Sequence, residues 1–226
     1  MNDFKLLEVK GSWSEVLDAC RSTVSKKFLN KEPSEEFKRA ILISEHSPIR
    51  TKLFKWIWYD LPYWVSTHFA RHHIGFEKWI STQRNDRQDN YDREQAPQDA
   101  PVTFIGEGNT QALINMSKVR LCFTASKKTR DKMVQLKEEI KKVDKTTAWG
   151  MVPSCIYRGG CPEKGRRLYY LRHSGGQRES GRGRHAQSGP DCYDGDGPGR
   201  MEMRHRQKVS MIKAGGSDAS YFCRTR

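Results

Sequence analysis

Apolar residues in the first 162 positions recur in runs separated by polar breaks, and most runs have a legible period. Ser12, Trp13, Ser14 and Glu15 form a capping box, in which hydroxyl and carboxylate satisfy two free backbone N–H groups. Val16, Leu17, Cys20 and Val24 follow at helical spacing. After a polar link over residues 30–34, Ser34 caps a second helix. Glu35 and Glu36 suit the positive end of its dipole, and Phe37, Ala40, Ile41 and Ile43 form its expected buried stripe. Pro48 ends this helix by pushing Ser47 out of helical geometry. Residues 53–59, rich in Trp, Phe and Ile, predict a strand buried over much of its surface. Asp60, Leu61 and Pro62 make the turn into a further helix over residues 63–71, because proline fits a first helical turn. Residues 83–101 are polar, carry Pro97 and Pro101, and read as a mobile loop and candidate lid. Helix returns over residues 110–123, with Leu113, Ile114, Met116, Val119 and Leu121 as expected core. Ser126 then caps an amphipathic helix carrying Met133, Val134, Leu136, Ile140 and Val143. Residues 151–162 read as a short extended segment that closes the fold.

Composition divides the chain in two. Hydrophobic content of 35% and a mean hydropathy of −0.85 are poor for one compact fold of 226 residues, and point to an unfolded part. Residues 163–226 hold 11 of the 18 glycines, 14 of the 41 basic residues and 7 of the 27 acidic ones, a net +7. No helical or strand period survives there, so the segment cannot offset its ordering entropy. The expected organisation is a folded domain over 1–162 and a disordered basic Gly/Arg-rich tail over 163–226. The tail reads either as an arm that attracts RNA or DNA or as the product of a reading-frame shift after about residue 162. The abrupt change in composition favours the shift.

The total charge of +14 favours anionic partners: nucleic acid, nucleotides, phosphorylated cofactors or acidic lipid. No apolar run reaches membrane-spanning length, and the first ten residues lack a signal-peptide pattern. Cysteines 20, 122, 155, 161, 192 and 223 lack the paired short spacings of a zinc site, and read as reduced thiols of a cytoplasmic protein with no metal centre. Neither a Walker-type loop nor Gly-x-Gly-x-x-Gly is present.

Residues 69–87 concentrate the candidate chemistry. Arg71, His72, His73, Lys78, Arg84 and Arg87 surround Gly75, with Ser81 and Thr82 as hydroxyl donors, behind an aromatic lead-in. Guanidinium forks and backbone N–H groups both match phosphate oxygens, so the stretch reads as an anion cradle. The alternative is a helix end with a solvated basic face.

Residues 46–162 resemble the flavin-dependent thymidylate synthases, the ThyX family. The family signature, Arg-His-Arg-x-x-Ser-x-Asn-Glu-x-Ser-x-Arg-Tyr, laid on the chain from Arg71, is met by Arg71, His72 and Ser81. It is departed from at His73, Phe76, Lys78, Trp79, Gln83 and Arg84. Leu61-Pro62 precedes it by the spacing of the family's Ala-Pro, and His46-Ser-Pro48 is similar to its His-x-x-Pro segment. Ala112-Leu-Ile-Asn115-Met-Ser-Lys-Val-Arg120 resembles its Ser-Leu-x-Asn-x-x-x-Leu-Arg helix, although Thr51 and Thr124 stand where histidines are usual.

The resemblance implies an α+β fold in which helices pack a central sheet. It implies a homotetramer that binds FAD and dUMP where subunits meet. The implied reaction is reductive methylation of dUMP to dTMP, with methylenetetrahydrofolate as carbon donor and NADPH as reductant of the flavin. Arg71, His72 and His73 would contact the flavin cofactor, and Asn115 would bond its side. Ser81, Gln83 and Arg84 would serve the dUMP phosphate, with Arg84 replacing the arginine missing at 83. Ser81 would act there as a hydroxyl donor, not a nucleophile. Arg120 would polarise the uracil carbonyls, a catalytic role it shares with Ser81 in the implied site. His46, Ser47 and Arg50 are further pocket candidates. On a helix Asn115 and Arg120 lie roughly 140° apart, so they need not address one ligand.

Overall fold

The computed structural model describes residues 3–87 and 92–158. The expected tail, residues 163–226, lies outside the described residues, as does the middle of the 83–101 loop. Among the described residues four strands form one sheet: β1 (Phe4–Lys10), β2 (Leu53–Pro62), β3 (Phe76–Ile80) and β4 (Pro101–Asn109). Their order is β1-β2-β4-β3, with every neighbouring pair antiparallel. The mixed architecture is the α+β fold expected from the sequence.

Strand β2 alternates with period two. Phe54, Trp56 and Trp58 are buried on the face that carries the helices, while Lys55 leaves toward the other. At Asp60 the register against β4 shifts and φ turns to +51°, and this bulge brings Leu61 back into the core. Opposite Trp56 stands Gly106 of β4, where a Cβ would come within 2.6 Å of the Trp56 ring. The glycine therefore makes room for the indole.

Among the described residues there are seven α-helices: α1 (Trp13–Ser22), α2 (Glu35–Ile43), α3 (Tyr63–Ala70), α4 (Thr110–Arg120), α5 (Lys127–Val143), α6 (Lys145–Gly150) and α7 (Ser154–Arg158). Ser12, Ser34 and Ser126 cap α1, α2 and α5 through their hydroxyls, as their positions in the sequence predict. Several expectations are corrected. Val24 lies beyond α1, which stops at Ser22. The stripe of α2 buries Lys38, Ile41 and Leu42 and leaves Ala40 exposed. Val119, Val134 and Val143 point to solvent, because the contact faces of α4 and α5 are narrower than their apolar content. The segment expected to be extended from residue 151 contains the short helix α7. Strands β1, β3 and β4 are not legible as apolar alternation in the sequence: β1 is mostly exposed, β3 is five residues inside a basic stretch, and β4, which alternates in burial with period two, has glycines at two of its buried positions.

One buried network ties the second layer to the sheet. Asp144 ends α5 and caps α6, accepting from the Thr147 backbone N–H (2.9 Å) and hydroxyl (2.8 Å). It also accepts from the Trp13 indole at 3.1 Å and pairs with Lys52 at 3.2 Å; Lys52 donates in turn to the Gly11 carbonyl at 3.2 Å. Burial alone would push the Asp144 carboxyl up, but the Thr147 N–H, Lys52, the Thr147 hydroxyl and Trp13 hold it below the usual carboxylate range. Asp144→Ala strands the Lys52 ammonium and is expected to cost about 3–5 kcal/mol in urea unfolding. With the folded carboxyl lowered, the wild-type contribution is complete above the ordinary carboxylate range and is lost as pH falls through the lowered value. The variant's unfolding midpoint should lack that share of the acid-side decline.

Candidate functional site

Helix α3 starts directly from the end of β2, with Pro62 in the N-cap position, and buries Val65 and Phe69 against the sheet. Arg71 closes the helix, and the His72 N–H donates to the Phe69 carbonyl at 3.0 Å. The chain then turns at Gly75, where φ is +67° and a Cβ would overlap the Asn109 side chain. Asn109 also donates its N–H to the Gly75 carbonyl at 3.0 Å and caps α4 through its side chain. The turn that carries the basic residues is thus fastened to the start of α4.

Arg120, the last residue of α4, returns to the same place from the other end. Its Nε donates to Nε2 of His72 at 3.1 Å and its Nη2 to the His68 carbonyl at 2.6 Å. The His68 ring is held through Nδ1 by the Thr129 hydroxyl at 2.8 Å, which also accepts from Ser126 at 2.8 Å. Lys78, on β3, donates to the His72 carbonyl at 2.9 Å. Three elements therefore bring Arg71, His72, Lys78 and Arg120 together. None of Arg71, Lys78 and Arg120 forms an ion pair among the described residues.

The electrostatics follow from that imbalance. Burial, then the fields of Arg120, His73 and Lys78, push the His72 imidazole down to about 4. Burial, Arg120 and Arg71 lower His68 as well, and burial with Arg71 lowers the Arg120 guanidinium. His72 is neutral at physiological pH, so its Nε2 can accept from Arg120 while Nδ1 carries the proton. Such a surface offers uncompensated positive charge and free N–H donors, the requirements of an anion site.

The structure brings Arg71, His72 and Arg120 into one cluster. His73 adjoins it but is exposed, its Nδ1 hydrogen-bonded to the Arg71 carbonyl at 3.1 Å. Ser81 continues the β3–β4 ladder: its hydroxyl accepts from the Thr103 N–H at 3.0 Å. Arg84 is exposed and forks onto Asp86 at 2.8 and 2.7 Å. Gln83 lies beyond β3 and is half-buried. Asn115 accepts from Gln111 at 3.3 Å, on the side of α4 where Glu45 gathers Gln111, Lys118 and Tyr157. Within one chain, none of Ser81, Gln83, Arg84 and Asn115 shares a hydrogen bond with the cluster among the described residues. One member of the cluster's surroundings escapes sequence reasoning: His68 reads there as an ordinary helix residue. Lys78 is read there as one of the cations around Gly75, but without the contact to His72 that the structure gives it. The signal for Lys78 is its period-two place in β3, visible only once that strand is known.

An NMR titration checks this geometry. The His72 ring should stay neutral until pH nears 4, and Arg120→Ala should move its pKa upward. The folded pKa lies below the unfolded one, so the unfolded chain binds the extra proton and stability falls as pH drops from about 6.5 toward 4. Arg120→Ala should flatten that slope in urea titrations.

No protein-family model and no curated protein sequence matches the chain. Solved structures do match it. One is the crystal structure of a UMP/dUMP methylase, PolB from Streptomyces cacaoi, bound with 5-Br dUMP. It superposes with a TM-score of 0.54 at 13% identity, over 65% of this chain and 93% of that one. At that identity the likeness is one of fold, and the helix-packed antiparallel sheet described above is the architecture the two chains share.

Proposed function

We propose that this chain methylates a pyrimidine nucleotide, converting dUMP to dTMP with methylenetetrahydrofolate as carbon donor, FAD as hydride carrier and NADPH as its reductant. The observation that carries the reading is the Arg120–His72 pair beside Arg71, a cationic cluster with no ion-paired carboxylate among the described residues, in a fold shared with a UMP/dUMP methylase. The donor set fits the phosphates of both nucleotides, because guanidinium forks match phosphate oxygens bidentately. When bound, the flavin supplies the hydride chemistry that no side chain can. The chain's own residues bind and orient. Arg71 and His72 hold the cofactor's anionic part. Arg120, fixed through Nε and Nη2, keeps further N–H donors for a uracil carbonyl or phosphate oxygen and stabilises charge as the base is activated.

The reading includes a cytoplasmic homotetramer. Ser81, Gln83, Arg84, Asn115 and His73, which do not close on the cluster within one chain, would complete the site where subunits meet. Arg84 would exchange its exposed Asp86 partner for the dUMP phosphate. The departures from the signature at His73, Phe76, Lys78, Trp79, Gln83 and Arg84 favour one competing reading, a relative that keeps the fold without turnover.

The full chain, supplied with FAD, NADPH, methylenetetrahydrofolate and dUMP, should form dTMP detectable by chromatography. Arg120→Ala should lower turnover about 100-fold or more, the loss typical of removing one electrostatic donor. Unchanged turnover in that variant would remove Arg120 from the site. Absence of dTMP together with no thermal stabilisation by FAD would leave the fold-retaining relative.

A further inference from the structure

We infer that Lys78 is a phosphate-binding residue, the third cation of a site whose other two are Arg71 and Arg120. The inference deepens the nucleotide reading above and rests on it only for the choice of ligands.

Two independent observations carry it. The first is position. Lys78 lies on edge strand β3 opposite Gly106, on the same face as Trp56, so no β4 side chain blocks its stem. The stem passes the Phe76 ring, with Nζ at 5.5 Å from the ring centroid, and reaches the His72 carbonyl at 2.9 Å. An ammonium has three N–H donors, and this bond uses one. The remaining two sit beside His72, whose Nε2 receives Arg120. From there Lys78 adds to the positive charge that, with burial, keeps the His72 imidazole neutral.

The second observation is what Lys78 lacks. Among the described residues six lysines besides Lys78 are partly or fully withdrawn from solvent: Lys38, Lys52, Lys55, Lys118, Lys132 and Lys137. The first five face a carboxylate: Glu32 and Glu35, Asp144, Glu107, Glu45 and Asp3 respectively. Burying an ammonium is unfavourable without such a partner, and the chain supplies one at those five places. At Lys78 it supplies only the carbonyl oxygen of His72, the residue whose ring receives Arg120. A phosphate monoester or diphosphate bound in the cluster would supply the negative charge that the described residues do not.

The rival account makes Lys78 a cap for the carbonyls at the end of α3, favourable to the helix dipole and indifferent to ligands. Lys78→Gln separates the two roles. Its amide can still donate to the His72 carbonyl but carries no charge, and Lys78→Arg restores the charge. Titration calorimetry on the full chain would use inorganic pyrophosphate, dUMP and FAD, with deoxyuridine and riboflavin as counterparts lacking phosphate. Lys78→Gln should weaken pyrophosphate binding about tenfold or more. It should weaken dUMP or FAD similarly, and whichever is affected identifies the source of the phosphate. Lys78→Arg should recover most of the loss, and the two phosphate-free compounds should be unaffected by either change.

Equal binding of all phosphorylated ligands by Lys78→Gln and wild type overturns the inference. So does an equal loss for phosphorylated and phosphate-free ligands, and so does a wild type that binds none of the three phosphorylated ones. Pyrophosphate binding that depends on Lys78, with neither dUMP nor FAD bound, would retain the phosphate site and remove the nucleotide reading.

Discussion

A layer of aromatic rings at the centre of the sheet holds the rest of the molecule in place. Trp56 and Trp58 of β2 meet edge to face at 5.6 Å. Phe76 of β3 stacks on Trp56 at 5.6 Å, and Phe69 of α3 packs on Trp58 at 4.8 Å. Phe104 of β4 touches Trp58, Phe69 and Phe76. Each such pair adds about 0.5–1.5 kcal/mol beyond the area it buries. The functional consequence lies in the spacing. Phe69 and Phe76 are both anchored, and the six residues between them include Arg71, His72 and His73. The core fixes both ends of a cationic turn whose own side chains could never have nucleated it.

The molecule buries charge in two different ways. Around Asp144 the Trp13 and Thr147 donors have their acceptor and the ammonium of Lys52 has its carboxylate. That arrangement locks α1 and α6 to the residue that leads into β2. Around Arg120 the donors are held by carbonyls and a neutral imidazole, and the positive charge is left standing. A closed network rigidifies a fold, whereas an uncompensated one is tolerated where something else supplies the missing charge.

Much of the helical part could be read from local chemistry. Ser12, Ser34 and Ser126 are caps in the sequence and caps in the structure, because capping involves only a hydroxyl and a backbone N–H three residues away. Strand β2 was legible because its alternate residues are large aromatics. The exposure of Val119, Val134 and Val143 was not, since an apolar residue looks the same in sequence whether or not a neighbour covers it. Of the site, the concentration of Arg71, His72, His73 and Lys78 was visible as charge around Gly75. The pairing of Arg120 with His72 spans 48 positions and left no local trace.

By itself the sequence determined which segments cap, which carry the large rings, and where cations accumulate, because each depends on residues a few positions apart. Only the tertiary structure decided that β3 pairs with β4, that α4 ends against α3, and that Ser81 and Asn115 take hydrogen bonds from Thr103 and Gln111 instead of from the Arg120 cluster within one chain. Those outcomes follow from the register of a sheet and the packing of distant helices. Both minimise free energy over the whole core, and no window of neighbouring residues contains that information.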